Sequence, residues 1–275
     1  MEMTKLGIGW RPEIALAIER RHDLEFVEVL FENTQCGIPE ALCRLKDRGV
    51  AIIPHAVSFS LGGAERPDVK RLRRFNRLAV ALGAPFVSEH IAFVRADNKE
   101  SGHLLPVPRT KKALQVVVEN VLIAREHLSV PLVLENIATI CDWKNSEMEE
   151  TEFISEILKQ TGCSMLLDIA NLYANSVNHG FNAVDLLNQL PLEKIAYVHT
   201  AGGVVRDGVY HDTHAHPVTT GVHNLLETLL TMTTPPRVML ERDDNFPDEA
   251  TIHNELDSIS KIISNNQNRM TCLTH

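Results

Sequence analysis

The sequence predicts an α/β fold: a single (β/α)8 TIM barrel occupying residues 1–275, with its core from about 5 to 265. Three features predict it. Short apolar runs alternate with amphipathic stretches eight times over, the pattern of parallel strands joined by crossover helices. The runs are almost continuously apolar, as strands covered on both faces are. Several of them stop on a histidine or a carboxylate, which a closed barrel would gather at one mouth and an open sheet would leave spread in a line. A doubly wound sheet is the competitor. Against it, no GxGxxG follows the first run, and the chemistry-bearing residues come from many runs rather than one switch point.

The strand candidates are 5–9, 25–31, 50–55, 85–90, 131–136, 164–168, 194–200 and 237–241. The helix candidates are roughly 12–21, 37–49, 67–83, 108–129, 147–161, 182–190, 216–232 and 248–264. Pro67 and Pro108 fall where a first helical turn tolerates proline, and Gly49, Gly83 and Gly162 fall just past helix ends. Ser146 and Glu149 have the spacing of a capping box. Within 67–83, Val69, Leu72, Leu78 and Leu82 make one apolar stripe. Arg71, Arg73, Arg74 and Arg77 lie largely off it and read as a solvated outer face rather than a nucleic-acid or peptide patch.

At 275 residues and 44% hydrophobic, the chain has ample core for one large domain. Its formal net charge of -9 weighs against a partner gripped by its phosphate backbone. The five cysteines, Cys36, Cys43, Cys141, Cys163 and Cys272, form no CxxC pair and are odd in number, as in a reduced protein rather than a disulfide framework. The first residues lack a charged start followed by an apolar signal core, and no apolar run approaches a membrane span. The expectation is a cytoplasmic enzyme with neither nucleic acid nor membrane as partner.

Its chemistry is expected where the runs end. VAIIPH ends at His55, PFVSEH at His90, and PLVLEN carries Glu135. SMLLD ends at Asp168, with Asn171 three residues on; IAYVHT carries His199, DTH supplies Asp212 and His214, and VMLE ends at Glu241. A lone strand-end histidine is usually just hydrogen-bonded, but a lone buried carboxylate is expensive, and here the endings repeat from the third run to the eighth. Oxygen and nitrogen donors without thiolates suit iron, manganese or zinc. Nine donors exceed what one ion takes and suit two or three ions, with Glu135 and Asp168, on neighbouring strands, as natural bridges. His211 and His216 flank the DTH segment as second-sphere or surface residues, and His22, His127, His223, His253 and His275 read as ordinary. No GxSxG, P-loop or Cys–His arrangement competes. Ala201-Gly202-Gly203 offers a faint phosphate-loop pattern, equally a flexible turn.

The order of these residues resembles the xylose-isomerase-like barrels, including endonuclease IV-type AP endonucleases, though Asn171 stands where those nucleases place a histidine. It resembles more closely the multinuclear non-heme iron-dependent oxidative enzymes, among them the methanobactin-forming one. The shared segments include GIGWR at 7–11, EVLFEN at 28–33, PHAVSFSLGG at 54–63, SEH at 88–90 and GHLLPVPRT at 102–110. They continue with LEN at 134–136, TGCSMLLDIANLYANSVNHGF at 161–181, VHTAGG at 198–203, DTHAHPV at 212–218 and LERDDNFP at 240–247. The resemblance implies His55, His90, Glu135, Asp168, Asn171, His199, Asp212, His214 and Glu241 as ligands of two or three irons in mixed Fe2+/Fe3+ states. It also implies O2 as co-substrate and a precursor peptide, modified at cysteine, brought by a leader-binding partner protein. One barrel is expected to consume the whole chain, leaving the peptide to be recruited by rim loops or by that partner. The long loop at about 92–108 is expected to be functional, with Asn33, His103, Arg109 and His179 as candidate substrate contacts. The alternatives are a metal-dependent hydrolase or nuclease and a sugar isomerase or epimerase. The latter would want a lysine or a second histidine at the metal, and no lysine falls at a strand end. A non-catalytic barrel would have no use for so many ligands in register.

Overall fold

The computed structural model describes residues 3–97 and 99–273. In chain order the elements are β1 (Lys5–Trp10), α1 (Ala15–Arg20), β2 (Phe26–Leu30), α2 (Glu40–Asp47), β3 (Ala51–Ala56), α3 (Val69–Leu82) and β4 (Val87–His90). Next come β5 (Ala92–Ala96), β6 (Lys99–Pro106), α4 (Lys111–Glu126), β7 (Leu132–Glu135), α5 (Glu150–Thr161), β8 (Ser164–Asp168), α6 (Ile169–His179) and α7 (Ala183–Leu187). The chain finishes with β9 (Ile195–Thr200), β10 (Val204–Arg206), β11 (Val209–His211), α8 (Thr220–Met232), β12 (Arg237–Leu240) and α9 (Glu249–Leu273). Eight parallel strands close in the order β1-β12-β9-β8-β7-β4-β3-β2, with helices between them. This is the (β/α)8 barrel that the alternation predicts.

Residues two apart on a strand share a face, and inside this barrel that rule sorts the side chains into levels. Phe26, Ile53, Phe86, Val133, Leu166, Tyr197 and Met239 form an apolar cluster of their own, apart from the larger core that includes the helices. They plug the barrel. β1 contributes Gly7 there, because a Cβ at that position would lie 2.5 Å from the Phe26 ring. One step of two residues toward the C-terminal mouth brings Glu28, His55, Ser88, Glu135, Asp168, His199 and Glu241, all buried. No helix among the described residues is long and apolar enough to cross a membrane.

Several local expectations shift. Pro67 and Pro108 lie ahead of their helices rather than within the first turn. Asp68 caps α3, accepting from Lys70 N, and Thr110 caps α4, accepting from Ala113 N. Ser146 makes no capping box: Glu149 holds the cap position without a side-chain bond, and Ser146 Oγ donates to Trp143 O instead. Gly83 and Gly162 do end helices in left-handed backbone. On α3, Arg73 and Arg77 are exposed but Arg71 and Arg74 are not merely solvated. Their guanidinium groups sit over Phe59 and Phe31, and Arg71 also donates to Ser58. The loop at about 92–108 is mostly the hairpin β5–β6, a second hairpin β10–β11 follows β9, and α6 starts directly after β8. His275 and the side chain of Cys272 lie outside the described residues.

Candidate metal centre

The strand-end residues converge. Three of four potential metal-holding groups form a row of cradles. In the first, His55 Nε2 and His90 Nε2 stand 3.5 and 3.1 Å from Glu135 Oε2. In the second, His199 Nδ1 stands 3.4 Å from Glu135 Oε1 and 3.8 Å from Asp168 Oδ2. In the third, His214 Nε2 stands 3.7 Å from Asp168 Oδ2 while its Nδ1 stands 3.1 Å from Glu241 Oε2. Glu135 belongs to the first and second cradles and Asp168 to the second and third, the bridging arrangement that their adjacent strands predict. The fourth group joins His199 and Glu241 to Glu28, which the strand-end reading overlooks.

The buried polar atoms left over at this spot fit a cation. Glu28 Oε1, Glu135 Oε2, Asp168 Oδ2, His199 Nδ1, Asp212 Oδ1 and Glu241 Oε2 are all buried without a well-formed hydrogen bond, although His199 Nδ1 and Glu241 Oε2 face each other at 2.8 Å. Buried polar atoms are normally satisfied, and most of these belong to the groups that could hold a metal ion. The other ends of these groups are fixed. Asp168 Oδ1 accepts from Asn171 N at 2.8 Å, so Asp168 caps α6 and presents Oδ2 to the centre. Arg11 holds Glu241 Oε1 at 3.2 Å and binds Asp243 through Nε at 2.9 Å. His55 Nδ1 meets Ser88 Oγ at 2.9 Å, His90 Nδ1 meets Glu89 Oε1 at 3.3 Å, and His199 Nε2 meets Glu28 Oε2 at 2.9 Å. A ligating imidazole is normally held this way by its other nitrogen. The metal-facing atoms are therefore Nε2 of His55 and His90 and Nδ1 of His199.

Asn171 is buried on the first turn of α6 and its Nδ2 donates to Asn136 O at 3.0 Å, which leaves only the amide oxygen to serve a metal. Asp212 Oδ2 and His214 Nε2 meet each other at 2.6 Å, and of the two only His214 falls in one of the four groups. His214 sits in left-handed backbone, φ 50°, a conformation that non-glycine residues hold only when the surroundings impose it. Here it turns the ring into the mouth.

With so many carboxylates close together, protons are held tightly. Burial would lower the pKa of His90, but Glu135 and Glu89 outweigh it and raise it to about 9. Burial likewise opposes charge on His199 and His214, yet the carboxylates around each raise both well above the usual histidine range. Burial, together with Asp212 and Glu135, lifts Asp168 well above the usual carboxylate range. Glu241 behaves oppositely: burial is overcome by His199 and His214, which hold it well below that range. A cation would displace these protons.

Above the cradles lies a cavity of about 620 Å³, with His55, His90, Asn171, Asp212, His214 and Glu241 in its floor. Leu104, Leu105 and Pro106 of β6 wall one side, Thr139, Ile140 and Cys141 another, and Asn178, Tyr210 and His211 a third. Of the predicted substrate contacts, only His103 lines it. Asn33 lines a separate rim depression beside Arg11 and Asp243. Arg109 is pinned to Asp142 and Met148 O, and His179 bonds Thr139 and stacks on Phe181. Gly202 and Gly203 form no phosphate loop. A Cβ at either would meet the 210–217 segment at 2.1 or 2.4 Å, so these glycines let that segment pack down.

Residues 5–264 match the family model for the RiPP precursor modification enzyme MbnB/TglH/ChrH. A UPF0276 protein of Streptomyces avermitilis is 51% identical over 265 residues, 94% of this chain and 54% of the relative, so the chain spans about half of that relative's length. A UPF0276 protein of Bordetella bronchiseptica is 35% identical over 270 residues, covering 95% of this chain and 93% of the relative. Among solved structures, an L-ribulose 3-epimerase matches with TM-score 0.64 at 13% identity, covering 99% of both chains. The endonuclease IV of Thermus thermophilus matches with TM-score 0.61 at 17% identity, covering 94% of this chain and 99% of that one. At such identities these two likenesses speak to the fold alone.

Proposed function

The chain belongs to the family of RiPP precursor modification enzymes, and from that premise we propose that it is an iron- and O2-dependent oxidase. Its substrate is a ribosomally synthesised peptide, modified at cysteine and delivered by a partner protein. The observation that carries the reading is the row of three cradles sharing Glu135 and Asp168 beneath one cavity. Nitrogen and oxygen donors suit iron, manganese or zinc alike; the resemblance of the motifs to multinuclear non-heme iron enzymes is what supports iron. Bound iron would supply one-electron chemistry with O2 and an open position for an anionic substrate group.

The chain's own residues supply the rest. Glu135 and Asp168 each belong to two cradles and would be shared by neighbouring ions. Among the described lining residues none is Lys or Arg. With His90 and His214 deprotonated on a bound metal, an entering thiolate would find its counter-charge in the metal rather than in a lysine or arginine. Leu104, Leu105, Pro106 and Ile140 make an apolar wall that sheds water from the reacting carbon.

Co-expression with any candidate precursor peptide encoded near this chain, with and without a candidate partner protein, tests the reading. A mass change in the peptide that requires iron, O2 and the partner is expected. An unchanged peptide, alongside turnover of abasic DNA or a sugar by the purified protein, would replace it with the hydrolase or isomerase reading.

A further inference from the structure

Below the cradles lies a hydrogen-bonded chain that the metal ligands alone do not account for. His55 Nδ1 meets Ser88 Oγ at 2.9 Å, Ser88 Oγ meets Tyr197 Oη at 2.5 Å, and Tyr197 Oη meets Glu28 Oε2 at 2.7 Å. The same Glu28 oxygen meets His199 Nε2 at 2.9 Å. All five residues are buried. An ionised carboxylate only accepts, so the bonds can be directed. His199 Nε2–H donates to Glu28, and so does the Tyr197 hydroxyl. With its single proton used, Tyr197 accepts from Ser88, and Ser88 accepts from His55 Nδ1–H. Each donor is used once and both arms end on one oxygen. His55 belongs to the first cradle and His199 to the second.

We propose that Glu28 is a positioning residue shared by two metal subsites: it orients His199 directly, and His55 through Tyr197 and Ser88. The inference rests on the metal reading of the cradles and adds to it that their histidines are not independent. One carboxylate fixes opposite tautomers in the two rings, Nδ1–H in His55 and Nε2–H in His199, and strengthens both as donors. His90 stands outside the chain, backed by Glu89. Glu28 also falls in a group with His199 and Glu241 that could hold an ion itself. Its Oε2 is taken by the Tyr197 and His199 donors, which gives the positioning role, and only Oε1, buried without a hydrogen-bond partner, is left that could face an ion.

The test uses the full chain with 15N-labelled histidines, metal-free and titrated with Zn2+ as a diamagnetic probe. With Zn2+ bound in place of the metal-facing protons, wild type is expected to show Nδ1–H at His55 and His90 and Nε2–H at His199. Partners of this kind commonly change metal affinity by about 10–100-fold. Glu28→Gln keeps the shape and removes the charge; it should weaken the two Zn2+ steps that shift His55 and His199, by about tenfold each. Tyr197→Phe should weaken only the step that shifts His55 and leave His199 Nε2–H in place. Should Glu28→Gln fail to fold, Tyr197→Phe and Ser88→Ala still decide the His55 arm. Nδ1–H at His199 with Zn2+ bound, a Tyr197→Phe effect as large at His199 as at His55, or loss of one bound ion in Glu28→Gln with unchanged tautomers would overturn the proposal. A wild-type chain that takes up no Zn2+ would sink the metal reading instead; slowly exchanging Nδ1–H at His55 and Nε2–H at His199 in the metal-free chain would still support the hydrogen-bonded chain, and their absence would overturn it.

Discussion

Two levels of the same barrel differ by one step of two residues and do opposite things. Phe26, Ile53, Leu166, Tyr197 and Met239 belong to the plug; Glu28, His55, Asp168, His199 and Glu241, each two residues on, belong to the metal centre. The plug is apolar and fills the barrel. The upper level is equally buried but carries charge that a fold alone would not choose. Stability and chemistry are thus separated by register within each strand, rather than given to different segments of the chain. Tyr197 is the exception that joins the levels, because its ring lies in the plug and its hydroxyl reaches Glu28.

The separation can be broken most forcefully from below. Phe26→Ala should cost about 3–5 kcal/mol, as deletion of a buried aromatic does, while the surviving folded fraction keeps its metal stoichiometry. Urea denaturation and metal analysis report the two effects, and equal loss of both would mean that the levels are not separable.

From above, two carboxylates should part company. Asp168→Asn keeps a good helix cap and removes a carboxyl that burial and its acidic neighbours disfavour. It should lose bound metal, yet the metal-free protein should melt no lower than wild type at pH 7. Glu241→Gln should lose metal and also destabilise the metal-free protein by about 1–3 kcal/mol, because buried His199, His214 and Arg11 lose their partner. Calorimetry of both variants after chelation checks this; similar melting temperatures would contradict it.

A pH series on the metal-free protein sharpens the electrostatic difference. Folding raises His90 from 6.5 to about 9. Its contribution is therefore fully present below pH 6.5 and is lost as pH rises toward 9. Stability should fall across that window in the metal-free protein, whereas metal uptake should strengthen as the protons leave. Stability rising from pH 6.5 to 9 without metal would contradict the arrangement.

The smallest effect lies outside both levels. Burial lifts Glu150, at the start of α5, to about 7 from 4.5. Its folded pKa exceeds its unfolded one, so wild type loses stability as pH rises through that range, and Glu150→Gln escapes the loss. Above pH 7 the variant should be more stable by about 1 kcal/mol and should retain all its metal.

The barrel, and most of the residues that gather at its mouth, are legible in the sequence because buried parallel strands read as apolar runs and the candidate ligands terminate them. His55, His90 and Asp168 each close a strand or its last turn, and Glu135 is the last residue of β7. Glu28 is not legible by that rule, since it lies mid-strand in β2. Counting two from Phe26, as two from Ile53 gives His55, would find it. Arg11 is hidden just past β1, where nothing in its neighbours marks it as the partner of Glu241 and Asp243, more than two hundred residues away. Helix α6 escapes because no turn precedes it. Asp168 ends the strand, caps the helix and faces the centre at once, so the chemistry of its Asp and Asn masks the helical periodicity of the segment. The cavity walls are least legible: the β5–β6 and β10–β11 hairpins depend on pairing across the mouth, and Arg109 and His179 are drawn away from it by Asp142 and Thr139.

The central claim is a multinuclear iron site built on shared carboxylates, and elemental analysis with Mössbauer spectroscopy of anaerobically purified, iron-supplied protein tests it most directly. Two or three irons per chain are expected, with spectra showing coupled ions. Stoichiometric zinc with no iron, and no gain in activity on iron loading, would contradict it.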